Sequence, residues 1–361
     1  MRSLCLAACM LLCAAAADAQ TARALPIIAY YSGRATMVDS FRIEQVSHVI
    51  FSFVHLRTDS LAVMNANDTL RIRHLVALKA RNPSMKVILS LGGWGGCRTC
   101  SPVFMSKKAR KKFVQTTKKT LEDFHCDGID LDWEYPALAN VPGYPYADAD
   151  RDNFTDLVRR LRRKLGPRYE ISFAAGGFTH YIRQSIDWKK VTPFVDRINL
   201  MTYDLVNGYD TVTGHHTPLY SSPGHIESID NAVRMLDSLG VPPSKIAIGL
   251  AFYGRIFDNV DSVSNGLFRP GHFRSGISYR NIPALLSPDS GFVYHWDPTA
   301  QAPFAYSPSR RWFVTFDDAA SVRLKTRYAI DHGLGGLMFW ELAEDAFEGG
   351  LLETLYNEDH H

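Results

Sequence analysis

Asp127-Gly128-Ile129-Asp130-Leu131-Asp132-Trp133-Glu134 is the stretch that decides how the rest of the chain is understood. Ile129, Leu131 and Trp133 alternate with Asp130, Asp132 and Glu134, the period-two pattern of a strand whose side chains point to opposite faces. Similar β-rich runs recur at 25–31, 47–54, 86–91, 169–174, 197–202, 245–252 and 334–340, which makes eight strands in all. Helical patterns lie between them. One covers 68–81, with Leu70, Leu75 and Leu78 on one side; another covers 153–165, with Phe154, Leu157, Leu161 and Leu165 at helical spacing. Strands alternating with helices imply parallel pairing through crossovers, and eight such units close most economically into a (β/α)8 TIM barrel, an α/β fold. In that barrel the three acids face the lumen and climb toward the C-terminal mouth, while Trp133 faces the helices.

One spacing departs from the repeat. About 80 positions separate Phe252 from Leu334, where a β/α unit needs roughly 30 to 40. The surplus is rich in aromatic residues and turn signals such as Asn265-Gly266, Pro270-Gly271 and Trp296-Asp297-Pro298. It is expected to form a small α+β insertion over 258–316, between strand 7 and helix 7, before the helical pattern resumes at Asp318.

Arg2 precedes an apolar run from Leu4 to Ala17, and Ala17-Asp18-Ala19 places small residues at the positions a signal peptidase reads. A signal peptide over 1–19, cleaved before Gln20, is expected, with a secreted barrel over 20–361. Leu6-Ala7-Ala8-Cys9 has the form of a lipoprotein box, but it would leave apolar sequence running on beyond it. No run reaches the roughly 18 apolar residues of a membrane span. Cys97, Cys100 and Cys126 remain after cleavage. Cys97 and Cys100 have no second ligand pair for zinc, so a local loop disulfide is expected; Cys126 lies in a strand-like run and is expected to be buried.

The chain carries 40 basic and 37 acidic residues among 361, a formal charge of +3 that argues against nucleic acid or an anionic membrane as the main partner. The basic clusters at 107–112 and 159–164 fall on outer helices and are expected to be solvated. Three carboxyl groups in file within a low-dielectric interior cannot all ionise, so at least one holds a proton near neutral pH. Clustered carboxylates also suit a cation. Three acids along one strand are aligned rather than wrapped round an ion, however, and no metal or other cofactor is expected.

Asp127-x-x-Asp130-x-Asp132-x-Glu134 resembles the signature of glycoside hydrolase family 18, the chitinases and their relatives. Ser90-Leu91-Gly92-Gly93-Trp94 is similar to that family's third-strand motif and Met201-Thr202-Tyr203-Asp204 to its sixth. Tyr253-Gly254-Arg255 resembles the segment leaving strand 7, and 336–341 the end of strand 8 that supplies a floor tryptophan, Trp340. The resemblance implies a retaining mechanism assisted by the substrate, outside the two-carboxylate scheme. On it, Glu134 is the acid, Asp132 orients the acetamido group, Asp130 shares a proton with Asp132, and Tyr203 holds the acetamido group. Trp94, Asp204, Tyr253, Arg255 and Trp340 become substrate contacts. Asp127 organises the strand end, Ser90, Gly92 and Gly93 allow close packing beside the acids, and Met201 fills the barrel floor. The implied partner is chitin or a chitooligosaccharide, taken by a monomer. The alternatives are an endo-β-N-acetylglucosaminidase acting on N-glycans, which tends to have a shallower site, and a chitin-binding lectin, which typically lacks the acid.

Overall fold

The computed structural model describes residues 24–139 and 142–360, so the expected signal peptide lies outside the described residues. Among these residues fourteen strands form two sheets. In chain order they are β1 (Ile27–Tyr31), β2 (His48–Arg57), β3 (Ser60–Ala62), β4 (Lys86–Gly92), β5 (Gly128–Asp132), β6 (Glu170–Gly176), β7 (Arg197–Met201) and β8 (Ile246–Ala251). Then follow β9 (Tyr253–Asp258), β10 (His272–Ser278), β11 (Val293–Asp297), β12 (Ala302–Ser307), β13 (Trp312–Phe316) and β14 (Gly336–Trp340). The first sheet runs β1-β14-β8-β7-β6-β5-β4-β2 with every pair parallel, and pairing of β1 with β2 closes it into an eight-stranded barrel. β3 only folds back on β2 as a hairpin.

Alternation along the strands sorts side chains into two apolar shells. Ile27, Ala29 and Tyr31 of β1 and Ile129 and Leu131 of β5 pack outward against the helices, joined by Trp133, whose ring meets Phe104 and Phe154. Ile28, Tyr30, Ile50, Ile88, Ala174, Met201, Ala247 and Met338 fill the lumen. A one-residue slip of β5 would exchange these sets, which is why the acid parity is fixed so firmly.

The helix Asp150–Leu165 buries Phe154, Leu157, Leu161 and Leu165 as their spacing requires. The preceding pattern at 68–81 needs correction. The helix there is Ala66–Ala77, started by the Asn65 side chain accepting from the Asp68 N–H, and it buries Ile72 and Leu75 while Leu70 is 61% exposed. Leu70 stands five residues before Leu75, about 140° away at roughly 100° per residue, and cannot share its face. Arg110 is likewise an exception to the solvated basic clusters. It is buried, donating to Asp156 Oδ2 (2.8 Å) and Asn153 Oδ1 (2.7 Å), and so ties the helix Lys107–Phe124 to the helix Asp150–Leu165.

The second sheet is antiparallel, in the order β10-β9-β13-β12-β11, and includes all of Tyr253–Asp258, so it starts earlier in the chain than residue 258. Only Phe252 separates it from β8. Phe257, Phe304, Tyr306 and Phe313 cover one face together with Val206 from the loop after β7, while Ile256, Val314 and Phe316 cover the other. Asp318 then caps the helix Ala319–Asp331, accepting from the Ser321 N–H at 2.9 Å.

The N-terminal ends of β2, β4, β6 and β7 carry a charged cluster round Glu170. His48 Nε2 (3.0 Å), Lys86 Nζ (2.8 Å) and Arg197 Nη1 (2.5 Å) meet its carboxylate. Burial alone would raise this carboxyl, but His48, Arg197 and Lys86 together hold it well below the ordinary range. A depressed folded value stabilises the protein above the unfolded carboxyl's pKa of about 4.3 and loses that stabilisation as pH falls. Glu170→Gln should therefore destabilise the fold by about 2 kcal/mol at pH 7. In urea titrations the gap from wild type should narrow below about pH 4.3; an equal gap at pH 7 and pH 3.5 would refute the linkage.

Candidate active site

In the lumen Asp130 lies between Ser90 of β4 and Ser172 of β6, its register partners in the neighbouring strands. Register explains the two serine hydrogen bonds, and two further donors reach it across the lumen. Ser90 Oγ donates to Oδ2 (2.7 Å) and Ser172 Oγ to Oδ1 (2.6 Å), while Tyr30 Oη (3.0 Å) and Asn199 Nδ2 (3.1 Å) donate from β1 and β7. Ser90 is thus a donor to the carboxylate as well as a small packing residue. Burial raises the Asp130 carboxyl and these four donors pull it back.

Asp132, one turn of the pleat higher, is buried, and its Oδ1 has no hydrogen-bond partner. Burial pushes its carboxyl well above the usual range, and the charges of Glu134 and Asp130 push it further. Gly92 faces it in register; a Cβ there would come within 2.2 Å of the Asp132 carbonyl oxygen, so glycine is required for the close approach. Glu134 follows β5 and is partly exposed at the barrel mouth. Desolvation raises its carboxyl to about 7, opposed by a hydrogen bond with Tyr135 and aided by the charge of Asp204. Asp127 stands apart from this column at the strand's other end, where Oδ2 accepts the Val87 N–H (2.7 Å) and pairs with Lys79 (2.5 Å).

The walls come from loops at the C-terminal ends of the strands. Tyr203 packs over the lumen against Met338, its hydroxyl 3.7 Å from Sδ, and feels the charges of Asp132 and Glu134. Met201 is buried in the same cluster. Asp204 has a left-handed φ of 56° and is clamped by Arg255 Nε (2.5 Å) and Tyr253 Oη (2.6 Å), both from β9. The second sheet therefore contributes directly to the site. Trp340 ends β14, stacked on Phe53 at 5.6 Å with 13° between planes. Gly93, at φ 80°, leaves room for that Phe53 ring, since a Cβ would lie 2.3 Å from it. Trp94 is 51% exposed on the rim, 6.2 Å from Tyr209, in a loop closed by the Cys97–Cys100 disulfide and held by Tyr144 Oη donating to Gly95 O (2.6 Å). Cys126 is a free thiol that burial raises to about 12.

A barrel whose fourth strand carries this acidic column matches the description "Glycosyl hydrolases family 18" over residues 26–345. The chain belongs to this family. Chitinase A1 of Niallia circulans is 32% identical over 299 residues, covering 76% of this chain and 42% of that relative, so the chain spans under half of that chitinase's length. Among solved structures, a family 18 N-acetylglucosaminidase from Paenibacillus barengoltzii superposes with a TM-score of 0.84 at 31% identity, covering 92% of this chain and 99% of that one. The Group IV chitinase of Ostrinia furnacalis in complex with allosamidin gives 0.85 at 26% identity, covering 93% and 98%.

Four contributors to this family 18 site were not singled out from the sequence: Tyr30, Ser172, Asn199 and Phe53. The first three have a legible signal. Each is a polar group inside its strand on the lumen parity, and each is explained by Asp130. Phe53 follows a register shift between Ser52 and Val54 in β2, which breaks the parity that would have placed it.

Proposed function

We propose that this family 18 protein is a secreted chitinase that hydrolyses β-1,4 linkages between N-acetylglucosamine units of chitin or chitooligosaccharides, with retention and substrate assistance. The observation that carries the reading is the column of Asp130, Asp132 and Glu134 at the barrel mouth, in which the buried Asp132 Oδ1 lacks a partner beside Glu134, whose carboxyl desolvation raises to about 7. Glu134 gives its proton to the glycosidic oxygen. The substrate's acetamido oxygen attacks the anomeric carbon as the glycosidic C–O bond breaks, and the leaving sugar departs as an alcohol. Asp132 Oδ1 accepts the acetamido N–H and faces the positive charge of the resulting oxazolinium ion. Tyr203 holds the acetamido group in line, and Trp340 stacks beneath the sugar. Water then opens the ring, losing a proton to the Glu134 carboxylate and restoring the acid.

The named chitinases among the relatives support this substrate class. The Paenibacillus neighbour favours a second reading, removal of single N-acetylglucosamine units. Products from a chitin hexamer separate the two. Internal cleavage yields dimers, trimers and tetramers with the β-anomer first; the second reading yields monomer and pentamer. Release of glycans from glycoproteins with the hexamer untouched would overturn both.

The pH dependence follows from the acid. Glu134 works protonated, so the alkaline limb of kcat/KM should begin near pH 7 and fall tenfold per unit above it. A plateau extending to pH 9 in the measured profile would mean that another group supplies the proton.

A further inference from the structure

His216 lies behind the cleft wall and has no part in the chemistry above. It is fully buried, and neither ring nitrogen has a hydrogen-bond partner. Buried polar atoms are normally satisfied, and leaving one unpaired costs about 1–3 kcal/mol, so this placement calls for a cause. The backbone fixes it: the His216 N–H donates to Thr315 Oγ1 (3.1 Å), and its carbonyl accepts the Leu205 N–H (3.0 Å), which closes the loop that begins at Asp204. The ring meets Tyr253 edge-on at 5.2 Å. Nδ1 stands 3.7 Å from Asp204 Oδ1, just beyond hydrogen-bond reach.

The groups that bear on this imidazole come from three elements. Asp204 follows β7, Tyr253 and Arg255 belong to β9, and Asp317 follows β13. Burial holds the ring below the ordinary histidine range, Asp204 and Asp317 oppose it, and Arg255 adds to it. The neutral ring leaves the Asp204 carboxylate aligned on Arg255 and Tyr253.

We propose that His216 is a positioning residue whose protonation draws Asp204 off that alignment and thereby sets the acid side of the activity profile. A charged imidazole beside a carboxylate closes to about 2.7–2.9 Å, so Oδ1 and Nδ1 approach by roughly 1 Å. A shift of that size in a substrate-positioning group costs up to about 10²-fold in rate. The added positive charge also offsets the Asp204 field that helps Glu134 retain its proton. The activity arm rests on the chitinase reading; the geometry does not.

Two measurements on the full chain test this separately. The His216 imidazole signal, assigned by its loss in His216→Asn, should titrate in wild type, and its midpoint should fall by about one pH unit in Asp204→Asn. An unchanged midpoint would overturn the proposed pairing whether or not the protein cleaves chitin. In His216→Asn, neutral at every pH, the acid limb of kcat/KM on chitin oligomers should move down by about half to one unit with the alkaline limb in place. An acid limb that stays put would overturn the role in activity, and His216→Gln gives the same test if the asparagine variant is poorly folded. A protein that hydrolyses no chitin oligomer fails the chitinase reading instead, with the imidazole titration still readable.

Discussion

Glu134→Gln is expected to lower kcat on chitin oligomers by about 10²- to 10⁴-fold, the usual contribution of a positioned general acid. Glutamine keeps the size and hydrogen-bonding shape of the acid but cannot release a proton, so the loss falls on the chemical step and KM should stay near wild type. Stability provides the control. A carboxyl whose folded value is raised to about 7 is penalised once pH exceeds the unfolded value of about 4.3, because the unfolded chain ionises first. Glu134→Gln should therefore be at least as stable as wild type at pH 8. Lost activity with an unchanged or higher urea midpoint assigns the effect to the acid. A variant that retains more than a tenth of wild-type kcat would remove Glu134 from that role.

Parity made the barrel legible. Strands buried on both faces give long apolar runs, and the acids on alternate positions of 128–134 mark the lumen face; the outward placement of Trp133 follows from the same alternation. Few apolar residues mark the phase of the helix Ala66–Ala77, so the leucine spacing alone misses that Ile72 joins Leu75 on the buried face while Leu70 faces solvent. Tertiary partners account for most of the rest. Arg110 is buried because Asp156, 46 positions away, receives it, and nothing local to 107–112 announces that. His216 is similar: its environment is assembled from the ends of β7, β9 and β13, which meet only once the second sheet is seated. The junction at Phe252 carries no glycine or proline turn, so the sequence at 253–255 reads as the exit of strand 7 although it opens another sheet. Local pattern locates the column of acids, whereas the groups that tune them come from segments far apart in the chain.

Lys325 and Asp317 carry the largest expected effect on folding. Both are fully buried, in the region where the helix Ala319–Asp331, the end of β8 and the loop after β7 meet. Lys325 Nζ donates to Asp317 Oδ1 (2.6 Å) and Oδ2 (2.8 Å), and to Thr217 O (2.6 Å) and Oγ1 (2.8 Å). Asp317 also accepts the Ala251 N–H (3.1 Å) and Ser321 Oγ (2.7 Å). Desolvating two charges offsets much of their attraction, so the intact pair adds little net stability, yet removing one partner strands the other. Lys325→Met should cost about 3–5 kcal/mol in urea unfolding at pH 7. The double variant Asp317→Asn, Lys325→Met should recover a large part of that loss, because asparagine still accepts from Ala251 and no uncompensated charge remains. A double variant as unstable as the sum of the singles would show that the two residues act independently. Thr217 gives the pair a catalytic consequence as well: its Oγ1 donates to Thr202 O (3.0 Å), next to Tyr203 and Asp204. Loss of the lysine should therefore loosen the wall of the cleft, lowering kcat/KM in the fraction of Lys325→Met that remains folded, and the double variant should regain activity in step with stability.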